Sequence, residues 1–341
     1  MKFFLLCLLS FVTVAFDACS TKPVSVGELD EIYVFADSSD WVDYEDAVKS
    51  FFSREYLMPV PEDEFILKHR PFSEFANYKH KSNIMLFGRL DSKEPVSAEI
   101  NGLLNEQVIE RVKSGDGFYI PQKNVWAFNQ YVVFLVAPGK DEMIQRLYDL
   151  GELVYDDFQK SYYSRLRNKM FKHGENKKTE KYIADNFPFM IRVQHDYVLV
   201  DESLKDNYIW LRRVYSNRDR SLVIHWIPNA DSAQITREWL IAQRNHLAAR
   251  VYSGDVVVPE ETTFERFRFR NWPAYRLEGT WKNPTRFIGG PFRSIAFKDK
   301  KSKMIFMIDF YVQAIGERKK PYLDQLDIIA HTFQLPKTAK N

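Results

Sequence analysis

The chain has 341 residues, 45% of them hydrophobic and 28% charged, with a formal net charge of +2. That balance excludes a disordered, single-sign tail protein, and a chain so near neutral argues against nucleic acid as a partner. Two cysteines exclude a disulfide-stapled scaffold, and the length suits two ordinary domains.

The N-terminus opens on Met1-Lys2 and an apolar run from Phe3 to Phe16. Fourteen residues match the core of a signal peptide and are too few to span a bilayer as a mature helix. No later stretch is long and apolar enough to span, so the chain is expected to be exported. Cys7 leaves with the leader, and Cys19 is then the last thiol in the chain. An unpaired thiol in an oxidising compartment is a liability unless it is modified. Residues 16–19, Phe-Asp-Ala-Cys, read as a loose bacterial lipobox, so lipid attachment at Cys19 is expected. Asp17 departs from the small residue usual there, and cleavage after Ala15 is the competing outcome. Residues 1–18 are thus read as a lipoprotein signal and 19–30 as a tether. The segment after Cys19, Ser-Thr-Lys-Pro-Val-Ser, carries no acid. The expected partner is therefore a membrane, through the lipid on Cys19, with an envelope protein or polymer beyond it.

Residues 31–173 read as an alternating α/β unit. Residues 31–37 form a strand. Residues 43–56 form a helix with Ala47, Val48, Phe51 and Phe52 on one stripe, followed by strands at 64–69 and 83–90. The pattern predicts one helix over 97–114, with Ser97 as its N-cap and Gly115 as its stop. Residues 130–138 are continuously apolar, as in a strand covered on both faces, and 140–171 are helical.

Residues 174–186 form a polar joint, and the charge changes near it: −5 over residues 20–184 and +7 over 185–341. Residues 187–336 read as an antiparallel sheet covered by helices. Strands are expected at 187–203, 208–215, 220–228, 274–281, 291–297 and 302–315. A helix is predicted over 231–252, capped by Asp231 or Ser232, with Ile235, Trp239, Leu240, Leu247 and Val251 on its apolar side. A last helix over 320–335 has Pro321 near its start and buries Tyr322, Leu326, Ile329, Ala330 and Phe333. The fold class is α+β, in two sheet-plus-helix units.

Motifs for catalysis are absent from the sequence: no HExxH, GxSxG, Walker A loop, GxGxxG or CxxC. The seven histidines, at 69, 80, 173, 195, 225, 246 and 331, have no zinc spacing, so no metal or cofactor is expected. Aromatic residues reach 15%, which favours a heavily packed core over an aromatic sugar or peptide cleft. Two stretches stand out as a candidate ligand or partner surface. In residues 264–270 an extended chain puts Arg266, Arg268 and Arg270 on one face, either as an anion grip or as a charged sheet edge. In residues 279–294, Gly289 and Gly290 mark a turn, with Trp281, Arg286 and Arg293 nearby.

The segments FIGGPF, YIWLRRVY, REWLIAQRNHLAARVY, NVWAFNQYVVFLVAP and DEIYVFADSSDW together resemble an uncharacterised family. It is the Bacteroidota lipoprotein family catalogued as domain of unknown function 4837, and the resemblance runs from Glu31 to Phe333. It implies an envelope lipoprotein of a Gram-negative bacterium, on the periplasmic face of the outer membrane given the acid-free segment after Cys19, and supplies no activity. The second unit also resembles the PsbP-like sandwich, a fold of mostly accessory modules. The resulting expectation is a lipid-anchored, non-enzymatic binding or scaffolding module. A hydrolase or transferase acting on envelope glycans or peptides, and a carrier of a small amphiphile, are the alternatives.

Overall fold

The computed structural model describes residues 22–56, 60–215, 218–230 and 234–336. The signal run, Cys19 and the proposed caps Asp231 and Ser232 lie outside them. Residues 22–30, expected as a tether, dock on the first unit. Val24 bridges Phe128 and Val26 bridges Lys81.

The first unit is a five-stranded sheet between two helical layers. In chain order it holds β1 (Glu31–Phe35), α1 (Ser38–Phe52), the short pair β2 (Glu55–Tyr56) and β3 (Glu62–Asp63), then β4 (Ile66–His69), α2 (Phe75–Tyr78) and β5 (Asn83–Arg89). Then come α3 (Pro95–Leu103), α4 (Glu106–Lys113), β6 (Tyr119–Lys123), β7 (Tyr131–Ala137) and α5 (Lys140–Lys172). The sheet order is β4-β1-β5-β7-β6, parallel except for β6. Parallel strands need crossovers, and the crossovers put helices on both faces. That explains the unbroken apolar strands. Val34, Phe87 and Leu135 face α1 and α5, while Phe35, Leu86 and Val136 face α2–α4.

The helix expected over 97–114 is two helices. Leu104 is extended, and Asn105 restarts the chain by accepting from the Val108 N–H. Ser97 is not an N-cap. It lies inside the first turn of α3, where Asp37 accepts the N–H groups of Val96 (2.8 Å) and Ser97 (3.1 Å). A carboxylate brought from the end of β1 has taken over the capping of a helix 60 residues away in sequence, so local sequence does not reveal it.

The second unit holds α6 (Lys177–Asn186), β8 (Val198–Ser203), β9 (Tyr208–Tyr215), β10 (Arg218–Ile227) and α7 (Arg237–Val251). It continues with β11 (Val256–Phe269), β12 (Trp272–Asn283), β13 (Ile288–Asp299), β14 (Met304–Ala314) and α8 (Lys320–Ala330). Seven antiparallel strands run in the order β11-β12-β13-β14-β10-β9-β8. One face packs on α7 through Leu240, Leu247 and Val251, and the other on α8 through Leu326 and Ile329. The chain is an α+β protein, as the patterning predicts.

Several boundaries differ from expectation. Helix α1 runs Ser38–Phe52 rather than 43–56, and Lys177–Asn186 of the expected polar joint form helix α6. Residues 187–197 bury Phe187, Phe189, Ile191 and Val193 at alternate positions, but they join no named strand, and 195–196 form a turn closed by the Tyr197 N–H on the Gln194 carbonyl. They are held instead by bridges such as Met190 to Gln334. Period-two burial reports an extended chain, not a paired one. Helix α7 begins at Arg237, capped by Thr236, whose hydroxyl accepts from the Trp239 N–H at 3.1 Å. Helix α8 ends at Ala330, and Phe333 reaches the core from beyond it.

The α1/α5 face of the first sheet and the α8 face of the second share one continuous apolar cluster. Polar contacts cross the same seam. Asp324 of α8 accepts from the hydroxyls of Tyr162 (2.7 Å) and Tyr163 (3.0 Å) of α5.

Candidate functional site

A cleft of about 890 Å³ opens on this seam. One wall is α5, whose Gln159, Tyr163 and Arg167 recur every fourth residue on one face. The other wall is the β11–β13 end of the second sheet with the C-terminal end of α8.

The floor is a line of alternating charge produced by strand register. Arg276 of β12 lies opposite Glu265 of β11, and Glu278 of β12 lies opposite Arg293 of β13. Opposite charges in facing positions are the stabilising arrangement for an antiparallel pair. The Arg276 Nε is 2.7 Å from Glu265 Oε1 and 2.8 Å from Glu278 Oε1. Arg293 places Nε 2.7 Å from Glu278 Oε1 and Nη1 2.8 Å from Asp327 Oδ1, in ion pairs too poorly aligned to count as hydrogen bonds. Tyr56, from β2 of the first unit, donates to Glu278 Oε2 at 2.5 Å and accepts from Arg293 Nη2. His331 ends the line, its Nδ1 3.4 Å from Asp327 Oδ2.

Burial opposes the charge on Arg293, but Tyr56, Asp327 and Glu278 outweigh it and raise the guanidinium's affinity for its proton. Burial pushes the Asp327 carboxyl up, and Arg293, with His331, brings it net below the usual carboxylate range. The floor is thus a neutralised set of fixed charges. Glu64 is different. It accepts from Gln159 at 3.1 Å, makes no ion pair among the described residues, and burial raises its carboxyl pKa. At the mouth, the exposed Arg167 and Arg268 make no ion pair among the described residues.

The residues singled out from sequence do not form one surface. Arg266, Arg268 and Arg270 are all exposed, the first two on the edge strand β11, but only Arg268 lines the cleft. Arg270 has left the strand for a turn at φ +53° and donates to the His331 carbonyl at 2.7 Å. Trp281 is 1% exposed, packed on Tyr311 in the core beneath α7, and offers nothing to a ligand at the surface. Arg293 is buried in the charged floor. Gly289 and Gly290 are not a turn: both lie in β13, opposite Lys282 and Trp281. The turn is Pro284–Phe287, closed by the Asn283 side chain accepting from the Thr285 and Arg286 N–H groups. Arg286 is exposed on that turn.

Sequence reasoning missed Tyr56, Glu278 and Asp327. The alternation Arg276–Glu278 on a strand was the available signal, but its partners lie on three other elements. Arg244 was missed for a similar reason. It occupies a buried position of α7 and sits 3.3 Å from Asp309 of β14, both side chains fully inaccessible.

The fold therefore defines a two-unit α+β protein, and family models divide it in the same two parts. Residues 25–171 match the family described as domain of unknown function 8532. Residues 176–332 match domain of unknown function 4837. The resemblance drawn from Glu31 onward is thus confined to the second half. NVWAFNQYVVFLVAP and DEIYVFADSSDW belong to the first match. No curated protein sequence matches the chain.

Similar solved structures include a point mutant of the protein Mog1, 10% identical at a TM-score of 0.31, over 45% of this chain and 93% of that one. The Saccharomyces cerevisiae Ran-binding protein Mog1p is 9% identical at 0.30, over 43% and 90%. LpqN, involved in cell envelope biogenesis of Mycobacterium tuberculosis, is 10% identical at 0.28, over 43% and 83%. Likeness at these scores carries no functional argument. Among the described residues, no helix is long and apolar enough to cross a membrane.

Proposed function

We propose that this is an exported lipoprotein of a Bacteroidota cell envelope, anchored through Cys19 on the periplasmic side of the outer membrane. It works as a non-enzymatic binding module whose site is the cleft between α5 and the second sheet. The apolar run that ends in a single usable cysteine supports the anchor. One observation carries the binding reading: two of the cleft's three acids, Glu278 and Asp327, are locked in ion pairs with arginine. Two-carboxyl glycoside hydrolysis needs a second, free carboxyl beside Glu64. Glu64 apart, the charged groups of the cleft left without an ion pair are instead the mouth arginines, which suit recognition of an envelope protein or polymer.

The test is a native mass spectrum of the full-length protein extracted from its own membranes in mild detergent. A chain beginning at Cys19 with acyl chains, and retaining a second species lost from an Arg167→Glu/Arg268→Glu variant, is the expected result. A chain beginning at Phe16 with a free thiol overturns the anchor. Turnover of envelope glycan or peptide that is abolished by Glu64→Gln overturns the non-enzymatic reading.

A further inference from the structure

Arg220, on β10, is a buried charge without a counter-ion. It is 5% exposed and makes no ion pair among the described residues. Its Nη1 donates to Gln325 Oε1 at 2.6 Å, its guanidinium lies 4.1 Å from the Tyr322 ring centre, and its Nε has no partner. Directly opposite on β9 is Arg213, a second like charge in a facing pair, which is the destabilising arrangement. Arg213 Nη2 reaches Asp196 at 2.5 Å, but its Nε too has no hydrogen-bond partner. Burial leads in depressing the Arg220 guanidinium's affinity for its proton and Arg213 adds to it, outweighing Tyr197, Tyr322 and Asp196, which raise it.

Beside these two arginines a cavity of about 270 Å³ opens between α5, α8 and the start of β1. Gln194 and Lys169 also line it. Of the carboxylates there, Asp30 is bound by Arg318, and Glu28 stands exposed at the rim. None of its lining residues lines the cleft described above.

We propose that this cavity is a binding site for a small oxyanion, a phosphate or carboxylate group, held by Arg220 and Arg213. An isolated buried charge is destabilising, and a planar guanidinium fork matches an oxyanion's two acceptors. Arg220 and Lys169 line the cavity with no ion pair among the described residues, so water satisfies their geometry but not their charge, while Gln194 Oε1 is left as an acceptor without a partner. The anion has two sources: free in solution, or the headgroup of an anionic lipid, since the cavity lies just after the segment that follows Cys19.

The experiment follows thermal unfolding of the full chain in non-ionic detergent, with inorganic phosphate titrated against sodium chloride at equal ionic strength. Phosphate is expected to raise Tm by a few degrees in a saturable way. Arg220→Met is expected to unfold at the same or a higher temperature without phosphate, because an uncompensated charge has gone, and to bind phosphate at least tenfold more weakly. Should Arg220→Met fail to fold, Lys169→Glu at the exposed rim is expected to weaken phosphate several-fold. A phosphate shift no larger than that of chloride, or one equal in wild type and variants, overturns the proposal. Phosphatidylglycerol vesicles then assign the source: tighter binding by wild type than by Arg220→Met identifies a lipid headgroup, and equal binding identifies a free anion.

Discussion

Gly290 lies where β13 is pressed closest to its neighbour. A Cβ built there meets the Val312 carbonyl oxygen at 2.1 Å and Trp281 Nε1 at 3.2 Å. Backbone cannot swing aside as a side chain can, so Gly290→Ala is expected to destabilise by about 1–3 kcal/mol in urea melts. The glycine pair was visible in the sequence, but its reason was not, since a turn and a close strand approach use the same residue. The Arg244–Asp309 pair illustrates the energetics of buried charge. Asp309→Ala strands the guanidinium and is expected to cost about 3–5 kcal/mol, whereas the double variant Arg244→Met/Asp309→Leu is expected to be neutral or more stable. Calorimetry of the two variants checks the contrast.

At the scale of elements, caps and joints decide the boundaries. Asn105→Ala removes the acceptor that restarts α4 and is expected to cost about 1 kcal/mol in the same melts. The joint ahead of α6 is tied by Glu175, whose carboxylate receives Arg192 Nε at 2.8 Å and Lys177 Nζ at 3.0 Å. The Arg192 hydrogen bond leads in pulling the Glu175 carboxyl down to about 2. A depressed folded-state value means the unfolded chain binds the extra proton first. The stabilisation is therefore complete above about pH 4.5, the group's ordinary value, and is lost as pH falls towards 2. Glu175→Gln is expected to lower stability at pH 6 but to leave it near the wild-type value at pH 2.5, read from urea midpoints. The charges in this segment were legible as a polar joint. Which acid meets which base was not, because Arg192 arrives from the extended chain beyond α6.

At the scale of the whole molecule, a shared core and several carboxylates, Asp324 among them, couple the two units. Asp324 is 1% exposed and holds Lys320 Nζ at 2.7 Å as well as two tyrosine hydroxyls of α5. Asp324→Ala is expected to cost about 3–5 kcal/mol, by leaving Lys320 charged and buried. Because the shared apolar cluster crosses the seam, that loss is expected to shift Trp41 in the first unit and Trp226 in the second together. Site-resolved fluorescence of single-tryptophan variants should show coincident transitions.

The sequence by itself determined the α+β class, the order of most of the longer strands and helices, and the two-sided burial of the first sheet. These follow from periodicity and local turn chemistry, which act within a few residues. Only the tertiary structure decided that Trp281 is core, that Arg270 leaves its strand, and that a cleft with a neutralised floor lies between the units. The same holds for Arg220, left without a counter-ion beside a cavity. Ion pairs and cavities are formed by residues from distant elements, and no local pattern records which charges will meet and which will be left alone.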